Sequence, residues 1–499
     1  MKKPKNVVWI LCDQLRFDYL GFTGNKIVKT PNLDKLAGAG TVLDNMFVQY
    51  PACMASRASM LTGRYPNTIR MSNGSPFLDP RETTLPEILQ RNGFATGLFG
   101  KLHVTPQVYT ARDLKSTKPI TDAGKFMDAA KLPAIPADPV KKNYGFQHVD
   151  GFEDALWGEY FEWLEKRDPV LHAEITQGHR NHMQQDFPKD IPDLGKSIIP
   201  SELHPSTFIA ESAAKYFTTT HKSGPCFMEV SFVDPHHPWD PPADIAANYP
   251  PEDMLLPQFD NTGNLKWPES LNVKIDDNSW FNIPSPEAAQ TAIAYYCAMI
   301  EQIDRSVGKV IKAVEDAGEF EDTLFVFAAD HGEHLGSYGL WRKGYFLYDH
   351  LIRSPFFMTW KNGFDGGIRN DNLYQSLDIA PTILDLLGLP AAPGMQGESF
   401  AGVLNDGDEP GREWIYCQGA WAQNGPYVDC MCIRTKDAKL NYFPSDGFGH
   451  LFDLNEDPHE MNDLYESAEH QNLCKRMLEL YIKSSYAQRD PIPLVMSQY

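Results

Sequence analysis

Asn6-Val7-Val8-Trp9-Ile10-Leu11-Cys12-Asp13-Gln14 is the stretch whose reading decides the fold. From Val7 to Cys12 every position is apolar, not every second one, so both faces of the strand it forms need cover. A strand covered on both faces belongs in a parallel sheet with helices on either side. The run then breaks into Asp13 and Gln14, which puts polar side chains where the chain leaves the sheet. The same design recurs three times. Residues 95–99 run into Gly100-Lys101-Leu102-His103, residues 226–232 into Val233-Asp234-Pro235-His236, and residues 323–329 into Asp330-His331.

Helical segments alternate with these strands. Residues 31–36 read as a short helix, and Thr84 caps a helix that ends at Gly93. The longest runs over residues 286–318, where Ile293, Tyr296, Ile300, Ile303, Val307, Val310 and Val314 repeat with a period near 3.6. The alternation predicts an α/β fold with a mostly parallel sheet flanked by helices. Ligands in such sheets bind outside the carboxyl ends of the strands, where the polar clusters fall. After a helix over residues 378–387 the pattern changes to short strands near 414–417, 428–435, 439–443 and 451–452, with a last helix over 468–486. This divides the chain into a domain over 1–399 and a smaller C-terminal α+β piece over 400–499. Residues 104–205 read as irregular, an insertion of the kind that walls a pocket or simply decorates the surface.

The chain has 499 residues and a net charge of −21, with 45 Lys+Arg against 66 Asp+Glu. That balance argues against a nucleic-acid groove or a basic membrane-binding face. An anionic ligand needs a local cluster of positive charge. No apolar run approaches the roughly 18 residues that span a bilayer, and the stretch behind Lys2-Lys3-Pro4-Lys5 stops at Asp13, too early for a signal peptide. The expected location is the cytoplasm. Eight cysteines are too sparse for a disulfide framework and read as buried small hydrophobes. Asn73-Gly74-Ser75 matches a glycosylation sequon but reads as a turn.

The residues with chemistry cluster in Pro51-Ala52-Cys53-Met54-Ala55-Ser56-Arg57, which opens a helix and continues to Leu61-Thr62-Gly63-Arg64. A helix N-terminus at Cys53 favours an anion, and Arg57 one turn on adds fixed charge. Taken alone, this reads as a buried cysteine beside a surface arginine. The stretch nevertheless resembles the signature of the type I sulfatases of the alkaline phosphatase superfamily, Cys-x-Pro-x-Arg followed by Leu-Thr-Gly-Arg. Further blocks along nearly the whole chain carry the same resemblance: Asp13-Gln14, Thr30-Pro31-Asn32-Leu33-Asp34, Gly100-Lys101-Leu102-His103, Pro235-His236-His237-Pro238, Asp330-His331-Gly332-Glu333, Lys343, and Leu451-Phe452-Asp453-Leu454.

The resemblance implies hydrolysis of a sulfate ester, with Cys53 oxidised to formylglycine and its hydrated aldehyde as the nucleophile. It implies one divalent metal at Asp13, Gln14, Asp330 and His331. Calcium is the family's usual ion, while neutral Gln14 and the imidazole of His331 leave manganese and magnesium compatible. Arg57 would hold the formylglycine, and Lys101 and Lys343 the sulfate oxygens. His103 would be the base that expels sulfate, and His236, with Lys343, the donor to the leaving oxygen. Asn73, His237 and Trp239 are candidates for substrate contact, with core packing the competing reading of His237 and Trp239. The implied partners are a small or oligosaccharide sulfate ester and a formylglycine-generating maturase, the radical type because Ala55 stands where the pattern has proline. Oligomeric state is left open, homo-oligomers included. A phosphonate monoester or phosphodiester hydrolase of the same superfamily is the alternative, and a catalytically dead metal-binding protein a third reading.

Three other patterns fail. Asp453-x-Asn455-x-Asp457 begins like a calcium loop, but Pro458 takes its glycine position. Cys430-x-Cys432 has no second pair for zinc, and His331-Gly332-Glu333-His334 lacks the zinc-peptidase spacing.

Overall fold

The computed structural model describes residues 2–71, 77–104, 143–153, 158–177, 183–185, 193–220, 224–257, 285–344, 346–406, 410–421 and 428–492. Its strands are β1 (Asn6–Cys12), β2 (Thr41–Phe47), β3 (Ala95–Gly100), β4 (His148–Gly151), β5 (Met183–Gln185), β6 (Gly195–Ser197), β7 (Cys226–Phe232), β8 (Thr323–Ala329), β9 (Arg353–Ser354), β10 (Phe357–Thr359) and β11 (Ile368–Gln375). Near the C-terminus follow β12 (Ile415–Trp421), β13 (Val428–Arg434), β14 (Ala438–Phe443) and β15 (Phe448–Asp453). The main sheet runs β11-β2-β10-β8-β1-β7-β3-β4, with β9 beside β2. Its pairs are parallel except those made by β9 and β10.

β1 lies in the middle, in register with β7 on one side and β8 on the other. Its alternate residues feed two cores. Val7, Trp9 and Leu11 join one apolar cluster, and Val8, Ile10 and Cys12 the other. Each such side chain contributes roughly 1.5–3 kcal/mol on full burial. The long helix Pro286–Asp316 covers one face, with Ser285 capping it through the N–H of Ala288 at 3.2 Å and the helix Pro205–Thr220 packed alongside. On the other face lie the helices Cys53–Thr62, Leu85–Arg91 and Ile379–Leu386, whose apolar residues belong to the opposite core.

The fold is the α/β architecture that the alternation predicts, and the four long parallel strands match the predicted ones to within a residue. Several findings differ from the expectation: β2 and β11, both in the main sheet, and the short β4, β5, β6 and β9 are strands that the sequence reading does not announce. Within the stretch read as irregular, Gly158–Arg167 and Pro169–Gln177 are helices. β10 is a short antiparallel strand wedged between β8 and β2, and three residues carry too little periodicity to announce it. Among the described residues no helix is long and apolar enough to cross a membrane.

β12 to β15 form an antiparallel meander. One face packs under the helix Gln471–Ala487 through Ile433, Leu440, Leu451 and Met477. Cys417, Cys430 and Cys432 face the other way and join the core beneath the main sheet, so the pair Cys430-x-Cys432 packs as the sequence suggests.

Candidate active site

The carboxyl ends of β1, β3, β7 and β8 meet the start of the helix Cys53–Thr62, and the chain places its polar residues there. Gly100 ends β3 with φ 98°, where a Cβ would stand 1.9 Å from the carbonyl oxygen of Ser231. Only glycine permits that approach. It delivers Lys101 to Asp13, with Nζ 2.6 Å from Oδ2.

Arg57 binds the strand ends together. Its Nε donates to Asp330 Oδ2 at 2.7 Å, and its Nη1 to the carbonyl of Lys101 at 2.8 Å and to Ser231 Oγ at 2.7 Å. Its Nη2 lies 3.5 Å from Asp13 Oδ2. Ser56, on the same helical turn, donates to the backbone carbonyl of Asp330. Burial pushes the Asp13 carboxyl up, but Lys101, His236, Lys343 and Arg57 outweigh it and hold it well below the usual carboxylate range.

Cys53 stands at the centre. Its Sγ is 2.7 Å from Lys343 Nζ, 3.2 Å from His331 Nε2 and 3.4 Å from Asp13 Oδ1. Burial and then Asp13 push the thiol up to about 12 against the pull of Lys343 and Lys101. As encoded, this residue is a neutral thiol at physiological pH. Burial lowers Lys343, yet Cys53 and Asp13 raise it above its ordinary value, so its ammonium keeps its proton.

Ligand atoms of Asp13, Cys53, Asp330 and His331 lie within 4.8 Å of one another, all four residues buried. His331 donates from Nδ1 to the carbonyl of Gly332 at 2.8 Å, which leaves the lone pair on Nε2, the atom facing Cys53 and Asp13. Burial, with Lys343 and against Asp330, lowers this imidazole and keeps it in the neutral form that ligates a cation. Gln14 occupies the same rim with φ 64°, and its Oε1 is buried without a hydrogen-bond partner among the described residues. Carboxylates, an amide oxygen and a neutral imidazole nitrogen fit a hard divalent ion.

The histidines past β7 stack, with ring centroids of His236 and His237 4.1 Å apart. His236 donates from Nδ1 to the carbonyl of His237 at 2.5 Å. Burial, with Lys343 and Lys101, lowers His236 well below its ordinary value, so at rest Nε2 is an acceptor. His103 follows Lys101 with φ 48°, and its backbone N–H, like that of Leu102, donates to Glu153 Oε1, at 3.1 and 3.0 Å. Trp239 is fully buried, edge-on to Trp341 with centroids 5.9 Å apart. It also meets His237 edge-on, with centroids 6.2 Å apart. Asn73 lies outside the described residues.

Sequence reasoning passed over Ser231, Glu153 and Glu333. Ser231 left a signal, a hydroxyl inside an apolar strand. Glu333 stood in a quoted block without a role, yet it accepts from Gln14 Nε2. Glu153 left no signal, because its two partners lie some fifty residues upstream.

With this geometry in view, comparison with known proteins is specific. The sulfatase family model matches residues 5–389, and the model for the C-terminal part of N-sulphoglucosamine sulphohydrolase matches residues 336–486. An arylsulfatase of Clostridium perfringens is 27% identical, with 96% of this chain and 94% of the relative covered. An N-acetylglucosamine-6-O-sulfatase of Bacteroides thetaiotaomicron is 24% identical over 98% of this chain and 88% of its own. The crystal structure of the phosphonate monoester hydrolase of Agrobacterium radiobacter superposes with a TM-score of 0.79 at 22% identity, covering 97% of this chain and 96% of that one. That last likeness speaks to the fold. The family match, spanning the helix of Cys53 and all four strand ends, makes this chain an enzyme of the sulfatase family.

Proposed function

We propose that the chain hydrolyses a sulfate monoester with a nucleophile made from Cys53. The observation that carries this reading is the convergence on Cys53 Sγ of Lys343, His331 and Asp13, all within 3.4 Å. A neutral buried thiol is a poor nucleophile, and a cysteinyl adduct has no second hydroxyl from which to expel sulfate. Formylglycine at position 53 would supply a hydrated aldehyde with that exit. A divalent ion held by Asp13, Gln14, Asp330 and His331, calcium in the first instance, would lower the nucleophile's pKa and draw charge from the sulfuryl group.

The chain's own residues divide the remaining work. Arg57, fixed by four partners, orients residue 53. Lys101 and Lys343 present ammonium groups to the sulfate oxygens. Lys343 is the resting proton donor toward the leaving oxygen. His236, an acceptor at rest, joins it as a donor only once it takes up a proton beside the substrate anion. His103 accepts the proton whose loss expels sulfate. The substrate is a small sulfate ester or the exposed end of a sulfated oligosaccharide, and eight buried thiols suit a reducing compartment such as the cytoplasm.

Cys53 and Ala55 are 4% and 3% exposed, so a maturase must reach them before this helix docks. We assign that step to a radical maturase, which accepts alanine where an oxygen-dependent one reads proline. Peptide mass spectrometry across Cys53 after co-expression with each type should show the aldehyde with the radical enzyme. Conversion by the oxygen-dependent enzyme alone would refute the assignment.

The rival reading, a phosphonate monoester or phosphodiester hydrolase, shares the nucleophile and the ligand set. Lys101 and His103 favour the sulfate monoester, because they add donors where a diester needs room for a second substituent. The ratio of kcat/KM for an aryl sulfate to that for the matching phosphonate monoester and phosphodiester decides between them. A ratio above one is expected, and a ratio below one exchanges the two readings.

A further inference from the structure

Gln14 is aimed by a backbone held at both ends. Its N–H donates to Asp330 Oδ1 at 3.0 Å, and its carbonyl accepts from the hydroxyl of Tyr296 at 2.7 Å. The side-chain amide has two N–H groups, and each meets an acceptor: a carboxylate oxygen of Glu333, and Nδ1 of His237 at 3.3 Å. Glu333 is itself fixed. It is fully buried, and its other oxygen accepts from the N–H of Leu335 at 2.9 Å. Gln14 and Leu335 both have left-handed backbones, φ 64° and 45°, which non-glycine residues keep only where their surroundings impose them.

An amide with both donors engaged can present only its oxygen to anything else. That oxygen is buried and accepts no hydrogen bond among the described residues, whereas buried acceptors are nearly always matched. We propose that Glu333 is a positioning residue that selects the sense of the Gln14 amide, turning Oε1 toward the cation, so that Gln14 and Glu333 act as a matched pair of one amide and one carboxylate. A carboxylate at position 14 would face Glu333 with no hydrogen between them. An amide at 333 would let Gln14 turn either way. The inference rests on the metal reading above and extends it past the four ligands.

The test is a double-mutant cycle read by calorimetric titration of Mn²⁺ into matured, metal-stripped protein, with no turnover involved. E333Q should weaken Mn²⁺ binding about 10- to 100-fold, the usual consequence of losing a partner that orients a ligand. Q14E/E333Q rebuilds the pair with its charges exchanged and should recover most of that loss. The benefit of Q14E in the E333Q background should exceed its effect beside native Glu333 at least about tenfold. E333Q binding within about twofold of the unaltered protein, or single effects that simply add, would overturn the proposal. Thermal denaturation of each metal-free variant shows whether it folds. Should E333Q not fold, E333D keeps the charge but withdraws the acceptor by one methylene and must show the same weakening; undiminished affinity there also overturns the pairing. An unaltered protein that binds neither Mn²⁺ nor Ca²⁺ sinks the metal reading and the pairing together, while binding that ignores Glu333 sinks only the pairing.

Discussion

Two buried charge clusters in this molecule invite comparison, one around Cys53 and one where the C-terminal sheet meets the body. In the second, Lys439 Nζ lies 2.8 Å from Asp349 Oδ1 and 2.5 Å from Glu460 Oε1, while Arg434 Nε reaches Asp349 Oδ2 at 3.1 Å. The other oxygen of Glu460 accepts from the backbone N–H of Asp349 at 2.8 Å. Each carboxylate oxygen there faces a cation or an N–H. Around Cys53 the charges are as deeply buried but not closed on themselves, for Lys343 rests on a neutral thiol and Gln14 Oε1 has no hydrogen-bond partner among the described residues. A structural ion cluster completes its own pairing, because an unpaired buried charge costs several kcal/mol. A catalytic one keeps capacity in reserve for what it binds.

The sharpest way to break that contrast is to neutralise one carboxylate in each cluster. Asp330→Asn should lower turnover at least about a thousandfold, roughly 4 kcal/mol, since a proposed metal ligand and the partner of Arg57 go together. Loss of stability should stay near about 1–3 kcal/mol, below the cost of an unpaired buried charge, because Arg57 keeps Asp13 at 3.5 Å and two neutral acceptors. Steady-state kinetics beside a denaturant titration separates the two. Near-normal kcat/KM would remove Asp330 from the site.

The converse belongs to the second cluster. Lys439→Met leaves Asp349 and Glu460 buried without their shared cation and should cost about 3–5 kcal/mol of stability. The surviving folded fraction should keep kcat/KM within about twofold. A large loss of activity in fully folded protein would mean that this cluster also shapes the site.

The contrast also explains what was legible in the sequence. Val7 to Cys12 and the three related runs announce themselves because a doubly buried strand cannot hide its composition, and their polar ends, Asp13, Lys101, His236 and Asp330, mark the edge proposed as the active site. Cys53 was legible only through the family signature, since alone it reads as a core thiol. The Asp349–Lys439–Glu460 cluster was not legible at all. Its members sit 90 and 111 residues from Asp349, and an ion pair leaves no periodic trace. Glu333 failed to register for the same reason, because its role depends on Gln14 at the far end of the chain. Strand β10 was missed because Phe357 to Thr359 is shorter than any periodicity.

Within the open cluster the two histidines sharpen the picture. His103→Ala and His236→Ala should each slow turnover by about 10²- to 10³-fold, within the range of positioned acid–base groups. Intact-mass measurement after addition of an aryl sulfate should reveal a retained sulfate adduct only in His103→Ala, because under the proposed roles only that variant lacks the base for expulsion. Adducts in both, or in neither, would reverse or void the two roles.

The smallest expected effect lies in the closed cluster and concerns pH. Burial pushes Glu460 up to about 7 against the pull of Lys439, whereas Arg434 and Lys439 outweigh burial and hold Asp349 well below its ordinary value. The unfolded chain releases the Glu460 proton near pH 4.3. Between that pH and about 7 the folded protein therefore holds the extra proton, and stability falls as pH rises through this window. Asp349 works in the opposite sense, its contribution present above its unfolded pKa and lost only on acidification below about 4, so it leaves the window from pH 5 to 8 untouched. Glu460→Gln cannot titrate. Its stability should decline less than that of the unaltered protein from pH 5 to 8, by a difference of about 2–3 kcal/mol, the linkage expected for a carboxyl held near 7 when folded and near 4.3 when unfolded. Parallel curves for the two proteins would place Glu460 in its ionised form throughout, and the second cluster would then hold two full negative charges against Lys439 and Arg434 at every pH in that range.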